Sequence, residues 1–307
     1  MRILIVGAGA TGGYFGGRLV EAGRDVTFLV RPRRAEQLRQ HGLQILSPHG
    51  DIILDPKLVT ADRIDGPYDV VMLTVKSYGL DSALDDMARA VGPDTMIFPV
   101  LNGMRHVDAL IARFGEKPVL GGACQVVSTL DAVGRVRQLA DHQQLIYGER
   151  SGTRSDRVEA LDRALQDADF IARVSDDILQ EMWEKWIALA TLGAITCLLR
   201  GAVGDIEAAP GGTAIALQVL EDCVAVATCS GHPPSEPVLA WIRAFVTEKG
   251  SKMSPSMYRD LSHGLPVEAD QIVGDMLARA EGFGITSPLL AAAYANLTIY
   301  QRGISAA

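Results

Sequence analysis

Through the first half of the chain, short apolar runs alternate with amphipathic stretches. Residues 2–6 (RILIV) predict a buried strand, followed by glycines and a helix to about Ala22. Residues 25–30 (DVTFLV) predict a second strand, and 33–41 a helix. The segments 43–46 and 51–54 flank a turn at Pro48-His49-Gly50 and predict a small hairpin. Next come a strand at 69–75, a helix at 79–91, a strand at 95–100, a helix at 104–114 and a strand at 119–129. Residues 135–148 predict added antiparallel strands, and 155–167 a further helix. Fully apolar strands separated by helices predict a parallel sheet covered on both faces.

From about Asp176 the pattern changes to helical periodicity alone, over 177–199, 210–231, 235–247, 268–282 and 288–302. Breaks fall at Gly201, Pro210-Gly211-Gly212, Gly231-His232-Pro233-Pro234 and Pro288. The predicted fold is therefore α/β: a Rossmann-type, doubly wound parallel sheet over residues 1–175, then an all-helical domain over 176–307. No internal repeat or low-complexity segment interrupts it.

Composition narrows the class. The chain has 307 residues, 48% hydrophobic and 21% charged, which fits a packed globular protein. Its net charge of −8 advertises no basic face to a phosphate backbone, so nucleic acid is not an expected partner. The apolar run at the start is about five residues long, short of a signal-peptide core. No stretch approaches the roughly 20 apolar residues of a membrane span, and the apolar run at Ile187–Leu199 predicts a buried helix. Four cysteines (Cys124, Cys197, Cys223, Cys229) form no CxxC pair and are expected in the core. His106, His142 and His263 have no metal spacing, and no metal is expected. A soluble, cytoplasmic protein follows as the expectation.

Gly7-Ala8-Gly9-Ala10-Thr11-Gly12 satisfies GxGxxG between a predicted strand and a predicted helix. In that context Gly7 permits a tight turn, Gly9 admits a pyrophosphate close to the backbone, and Gly12 lets the helix pack on the sheet. The helix N-terminus offers free N–H groups and partial positive charge to phosphates. At the end of the second strand stands Val30-Arg31-Pro32-Arg33-Arg34 where an NAD enzyme carries a carboxylate. Arg31 suits a 2′-phosphate, so the expected cofactor is NADP.

Lys76 and Asn102-Gly103 each follow a predicted parallel strand, at the sheet edge where open α/β folds bind ligands. Lys185, in Glu181-Met182-Trp183-Glu184-Lys185-Trp186, enters the most apolar helix, and its face continues as Leu189 and Gly193. A lysine so placed either snorkels to water or sits in a desolvated cleft with its pKa lowered toward general-acid use. Glu268 opens a helix after Pro266, where an acid ordinarily satisfies the helix dipole, and Ser256-Met257 lies twelve residues earlier.

Together GAGATGG, LTVKSY around Lys76, PVLNGM around Asn102, WEKW around Lys185 and SMYRDL…VEAD ending in Glu268 resemble the ketopantoate reductases (2-dehydropantoate 2-reductases) in order and spacing, over nearly the whole chain. The resemblance implies NADPH-dependent reduction of the 2-oxo group of ketopantoate to pantoate, on the route to pantothenate, in a cleft between a Rossmann domain and a helical domain. By the same resemblance Lys185 is the proton donor and Glu268 its partner at the reacting oxygen or the cofactor. Asn102 contacts cofactor and substrate, Lys76 the nicotinamide side, and Ser256 the substrate carboxylate. A homodimer is a further expectation.

The chain departs from the family pattern on the substrate side. Asparagines four and eight residues after the lysine are replaced by Leu189 and Gly193, one in the following loop aligns with Val203, and that of the last motif is Val273. Lost amide hydrogen bonds, each about 0.5–1.5 kcal/mol net, disfavour a polar hydroxy acid. Two alternatives follow: a ketoreductase of the same architecture for a more apolar 2-oxo acid or ketone, and a non-enzymatic NADP(H)-binding redox sensor, which needs neither Lys185 nor Glu268.

Overall fold

The computed structural model describes residues 1–306. They form two units, Met1–Leu101 with His106–Ile178, and Asn102–Arg105 with everything from Leu179 on. The sequence places the division at 175/176 and gives no sign that the short 102–105 turn belongs with the second unit.

The first unit runs β1 (Arg2–Val6), α1 (Ala10–Glu21), β2 (Asp25–Leu29), α2 (Pro32–His41), β3 (Leu43–Leu46), β4 (Ile52–Leu54), β5 (Lys57–Val59), β6 (Val70–Leu73), α3 (Leu80–Asp86), β7 (Met96–Pro99), α4 (Arg105–Phe114), β8 (Gly121–Leu130), β9 (Val136–Gly148), α5 (Asp156–Leu165) and β10 (Ile171–Val174). One sheet has the order β5-β2-β1-β6-β7 with every pair parallel. β1 lies at its centre, and Ile3 to Val6 are buried because neighbours flank them on both sides. A second sheet has the order β10-β9-β3-β4, with β8 antiparallel to β9.

Helix α1 fits between the two sheets because its glycines have no side chains. A Cβ on Gly16 would stand 2.6 Å from the Phe28 ring of the first sheet. A Cβ on Gly13 would stand 2.8 Å from Val136, and one on Gly17 would strike Ile45, both of the second sheet. Glycine weakens a helix by up to about 1 kcal/mol per residue relative to alanine, and close packing on two faces offsets that here.

The expected hairpin is present as antiparallel β3 and β4. Three expectations need correction. The helix predicted over 79–91 is broken: α3 ends at Asp86, with 3-10 turns at Ser77–Gly79 and Ala88–Ala90. The Ala90 carbonyl accepts from Tyr68 N at 2.9 Å, which ties the end of this segment to the lead-in of β6. The strands predicted over 135–148 are one 13-residue strand, β9. Its Gln138 and Gln143 are buried and meet the Tyr14 hydroxyl. The short β5 and β10 are not anticipated; β10 follows Asp167 and Asp169, both at left-handed φ (58° and 53°).

The second unit contains α6 (Ile178–Leu199), α7 (Val203–Ala208), α8 (Gly212–Cys229), α9 (Glu236–Val246), α10 (Ser256–Ser262), a π-helical turn at Asp270–Gly274 that runs into α11 (Asp275–Gly282), and α12 (Pro288–Ala306). By length and composition α6 and α8 are each apolar enough to cross a bilayer, contrary to the sequence expectation. In α6, 72% of the most apolar window is buried, with Trp186, Ile187, Ala190, Ala194 and Ile195 inside, so it serves as the core helix of its unit. The cysteines are not uniformly core: Cys197 and Cys223 are buried, Cys124 is half-buried and Cys229 is exposed. Burial pushes the Cys197 and Cys223 thiols up to about 12, which leaves them unreactive.

Candidate active site

In the first unit, the chain leaves β1 at Gly7, whose φ of +96° suits glycine, and Gly7 N donates to Leu29 O at 2.9 Å. The turn is closed from below. A Cβ on Gly12 would collide with Gly7 O and with Thr74 Oγ1, and Thr74 Oγ1 itself lies 2.8 Å from Val6 O and 3.0 Å from Gly7 O. It is open above: a Cβ on Gly9 would meet nothing within 4 Å. Gly9 is the N-cap of α1 and has no side chain to cap it, while Gly13 N is the first to reach an i−4 carbonyl, Gly9 O at 2.8 Å. The preceding amides of Ala10, Thr11 and Gly12 begin the helix with no i−4 carbonyl of their own. Backbone donors beside an unobstructed Gly9 suit an anionic pyrophosphate.

The three arginines after β2 have different tasks. Arg31 is exposed at the strand end, and its Nη2 donates to Ser82 Oγ at 2.8 Å. Arg33 is exposed too. Arg34 folds back as a brace: its Nε donates to Ala8 O at 3.2 Å, and Nη1 donates to Gln37 Oε1 at 2.6 Å and Gly134 O at 2.9 Å. Burial lowers the Arg34 pKa from its ordinary value. Lys76 is exposed just beyond β6, and its carbonyl accepts from Gly79 N at 2.8 Å.

In the second unit, Asn102 and Gly103 pack against the π-helical turn. Gln271 Nε2 donates to Asn102 O at 2.8 Å. Gly103 has φ +79°, and a Cβ there would lie 2.6 Å from Gln271 O, so the position requires glycine on both counts. Glu268, two residues before the same turn, is only 6% exposed, and its carbonyl accepts from Ile272 N at 3.2 Å. Ile272 O in turn accepts from Trp186 Nε1 at 3.0 Å. Trp186 adjoins Lys185, which is half-buried on α6. Trp186, the chain neighbour of Lys185, and the Asn102 backbone thus both hydrogen-bond to the π-helical turn that follows Glu268, and such turns are frequent at functional sites. Ser256 is half-buried at the start of α10. Sequence reasoning does not find Gln271; its only signal is a glutamine between the acids of EAD and the apolar Ile272-Val273.

The positions of the missing asparagines are apolar in space as well as in sequence. A Cβ on Gly193 would lie 2.6 Å from Met257 Cε and 3.8 Å from Ile272 Cγ2. Leu189 is half-buried, and Val203 and Val273 are fully buried. Among the described residues no group of three or more His, Cys, Asp or Glu is placed to hold a metal.

Two profiles, ketopantoate reductase PanE/ApbA and its C-terminal region, match residues 3–152 and 177–301. The chain belongs to the ketopantoate reductase family. It is 35% identical over 301 residues to an uncharacterized oxidoreductase, YkpB, of Bacillus subtilis, covering 98% of this chain and 99% of that protein. A solved 2-dehydropantoate 2-reductase from Geobacter metallireducens is 28% identical, with a TM-score of 0.86 over 97% of this chain and 99% of its own. A D-mandelate dehydrogenase solved with NADH and anilino(oxo)acetate shares the fold, at TM-score 0.88 and 20% identity over 99% of this chain and all of that one. Ketopantoate reductases are oxidoreductases of CH–OH/C=O groups that use a nicotinamide cofactor on 2-oxo acids.

Proposed function

We propose that this protein reduces a 2-oxo acid to the 2-hydroxy acid with NADPH, with Lys185 as the proton donor. The observation that supports it is that the neighbour of Lys185, Trp186, and the backbone of Asn102 both hydrogen-bond to the π-helical turn that directly follows the buried Glu268. The turn from Gly7 through Ala8, Gly9, Ala10 and Thr11 to Gly12 fits the pyrophosphate. Arg31, exposed at the end of β2 where no carboxylate stands, fits the 2′-phosphate and favours NADP. The D-mandelate dehydrogenase of the same fold was solved with NADH, which makes Arg31 the residue to test.

When bound, NADPH supplies a hydride to the carbonyl carbon. Lys185 Nζ gives a proton to the carbonyl oxygen as negative charge develops there, leaving a 2-hydroxy acid, and is reprotonated from water. Ser256 and Asn102 hold the substrate carboxylate through hydroxyl and amide donors, and Lys76 adds positive charge on the cofactor side. The first substrate to assay is 2-dehydropantoate, for which the Geobacter relative is named.

Lys185→Ala is expected to lower turnover by at least about 10²-fold while NADPH binding, followed by its fluorescence, is retained. Near-normal turnover in that variant would remove Lys185 from the mechanism.

A further inference from the structure

The face of α6 that carries Lys185 continues through Leu189 to Gly193, at intervals of about 6 Å along the axis. It presents no hydrogen-bonding side chain over those two turns. The space a side chain at 193 would fill is taken by Met257 Cε and, further off, Ile272 Cγ2. Met257 and Ile272 are themselves buried. Thr196, nearly one turn further on, already commits its hydroxyl to Leu192 O at 2.6 Å. Met257 also adjoins Ser256, so the residue assigned to the substrate carboxylate and the residue that closes this face are neighbours on α10.

A 2-oxo acid has three substituents on its reacting carbon. With the oxygen at Lys185 and the carboxylate at Ser256, the third is the side chain, and the next turn of the helix offers it Leu189. We infer that the preferred substrate carries a hydrocarbon side chain without a terminal hydroxyl, and that Leu189 determines that specificity, with the buried Met257 closing the face behind it. This rests on the assignment of Lys185 as proton donor. A hydroxyl in such surroundings loses its water and gains no partner.

Two compounds isolate the point. 2-Dehydropantoate and 3,3-dimethyl-2-oxobutanoate differ by a single hydroxyl. The wild-type protein is expected to show kcat/KM at least about fivefold higher for the hydroxyl-free compound. A site built to bind the hydroxyl would instead reject that compound by orders of magnitude. Leu189→Asn is expected to move the ratio at least about fivefold toward 2-dehydropantoate, with NADPH binding unchanged. A wild-type preference for 2-dehydropantoate would overturn the inference and leave the reductase assignment standing. NADPH oxidation with neither compound would overturn both. The wild-type ratio decides the matter even where a variant fails to fold.

Discussion

Gly12 and Gly193 both occupy positions where a side chain has no room, yet their neighbours differ in kind. Around Gly12 the obstacles are a backbone carbonyl and a threonine hydroxyl held against two other carbonyls. Around Gly193 the nearest obstacle is the terminal methyl of a methionine. The first is part of a turn closed by backbone carbonyls and a hydroxyl held against them. The second is a packed apolar face that a flexible side chain has filled. The dinucleotide turn therefore has almost no room for variation at Gly12, whereas the face beyond Lys185 can be repacked around a flexible methionine, and under the proposed function it is the face that would set substrate preference.

Gly12→Ala tests the rigid side of this contrast. It is expected to cost about 1–3 kcal/mol of stability by overpacking, and to weaken NADPH binding because the turn must open. Thermal unfolding and a fluorescence titration measure the two effects; a variant as stable and as tight-binding as the parent would refute the rigid turn.

Arg31→Ala comes next because its effect is confined to cofactor binding and leaves stability aside. A charge-assisted hydrogen bond contributes roughly 1.5–3 kcal/mol, so NADPH affinity is expected to fall about tenfold or more with NADH affinity little changed. Equal losses for the two cofactors would reject a contact between Arg31 and a 2′-phosphate.

Gly193→Ala is expected to have the smallest effect, under about 1 kcal/mol, since Met257 reorients rather than the backbone. A loss as large as that of Gly12→Ala would erase the difference between the two regions.

The same contrast explains what the sequence displays. GxGxxG is legible because the turn, the helix start and the packing glycine are neighbours in the chain, and each has a local physical reason. The first-sheet strands are legible because burial on both faces makes them continuously apolar. The three-residue β5 and four-residue β10 are too short to show a period. Lys185 and Glu268 stand out in the sequence only through the family's motifs, since a lysine on an apolar helix and an acid at a helix start each have ordinary explanations. Gln271 and Met257 are invisible because their partners, Asn102 and Gly193, lie 169 and 64 positions away in the chain. The π-helical turn that brings Gln271 inward leaves no periodic mark either. Arg34 is the converse case: in sequence it looks like Arg31, and only the fold shows it bracing Ala8 and Gly134.

The most direct measurement follows the hydride itself. The protein is incubated with NADPH carrying deuterium at the transferable C4 position and with 3,3-dimethyl-2-oxobutanoate, and the product is analysed by mass spectrometry. A 2-hydroxy acid bearing one deuterium on C2 is the predicted result, formed at a rate that collapses in Lys185→Ala. A product without deuterium on that carbon, or NADPH consumed with the oxo acid untouched, would contradict the account.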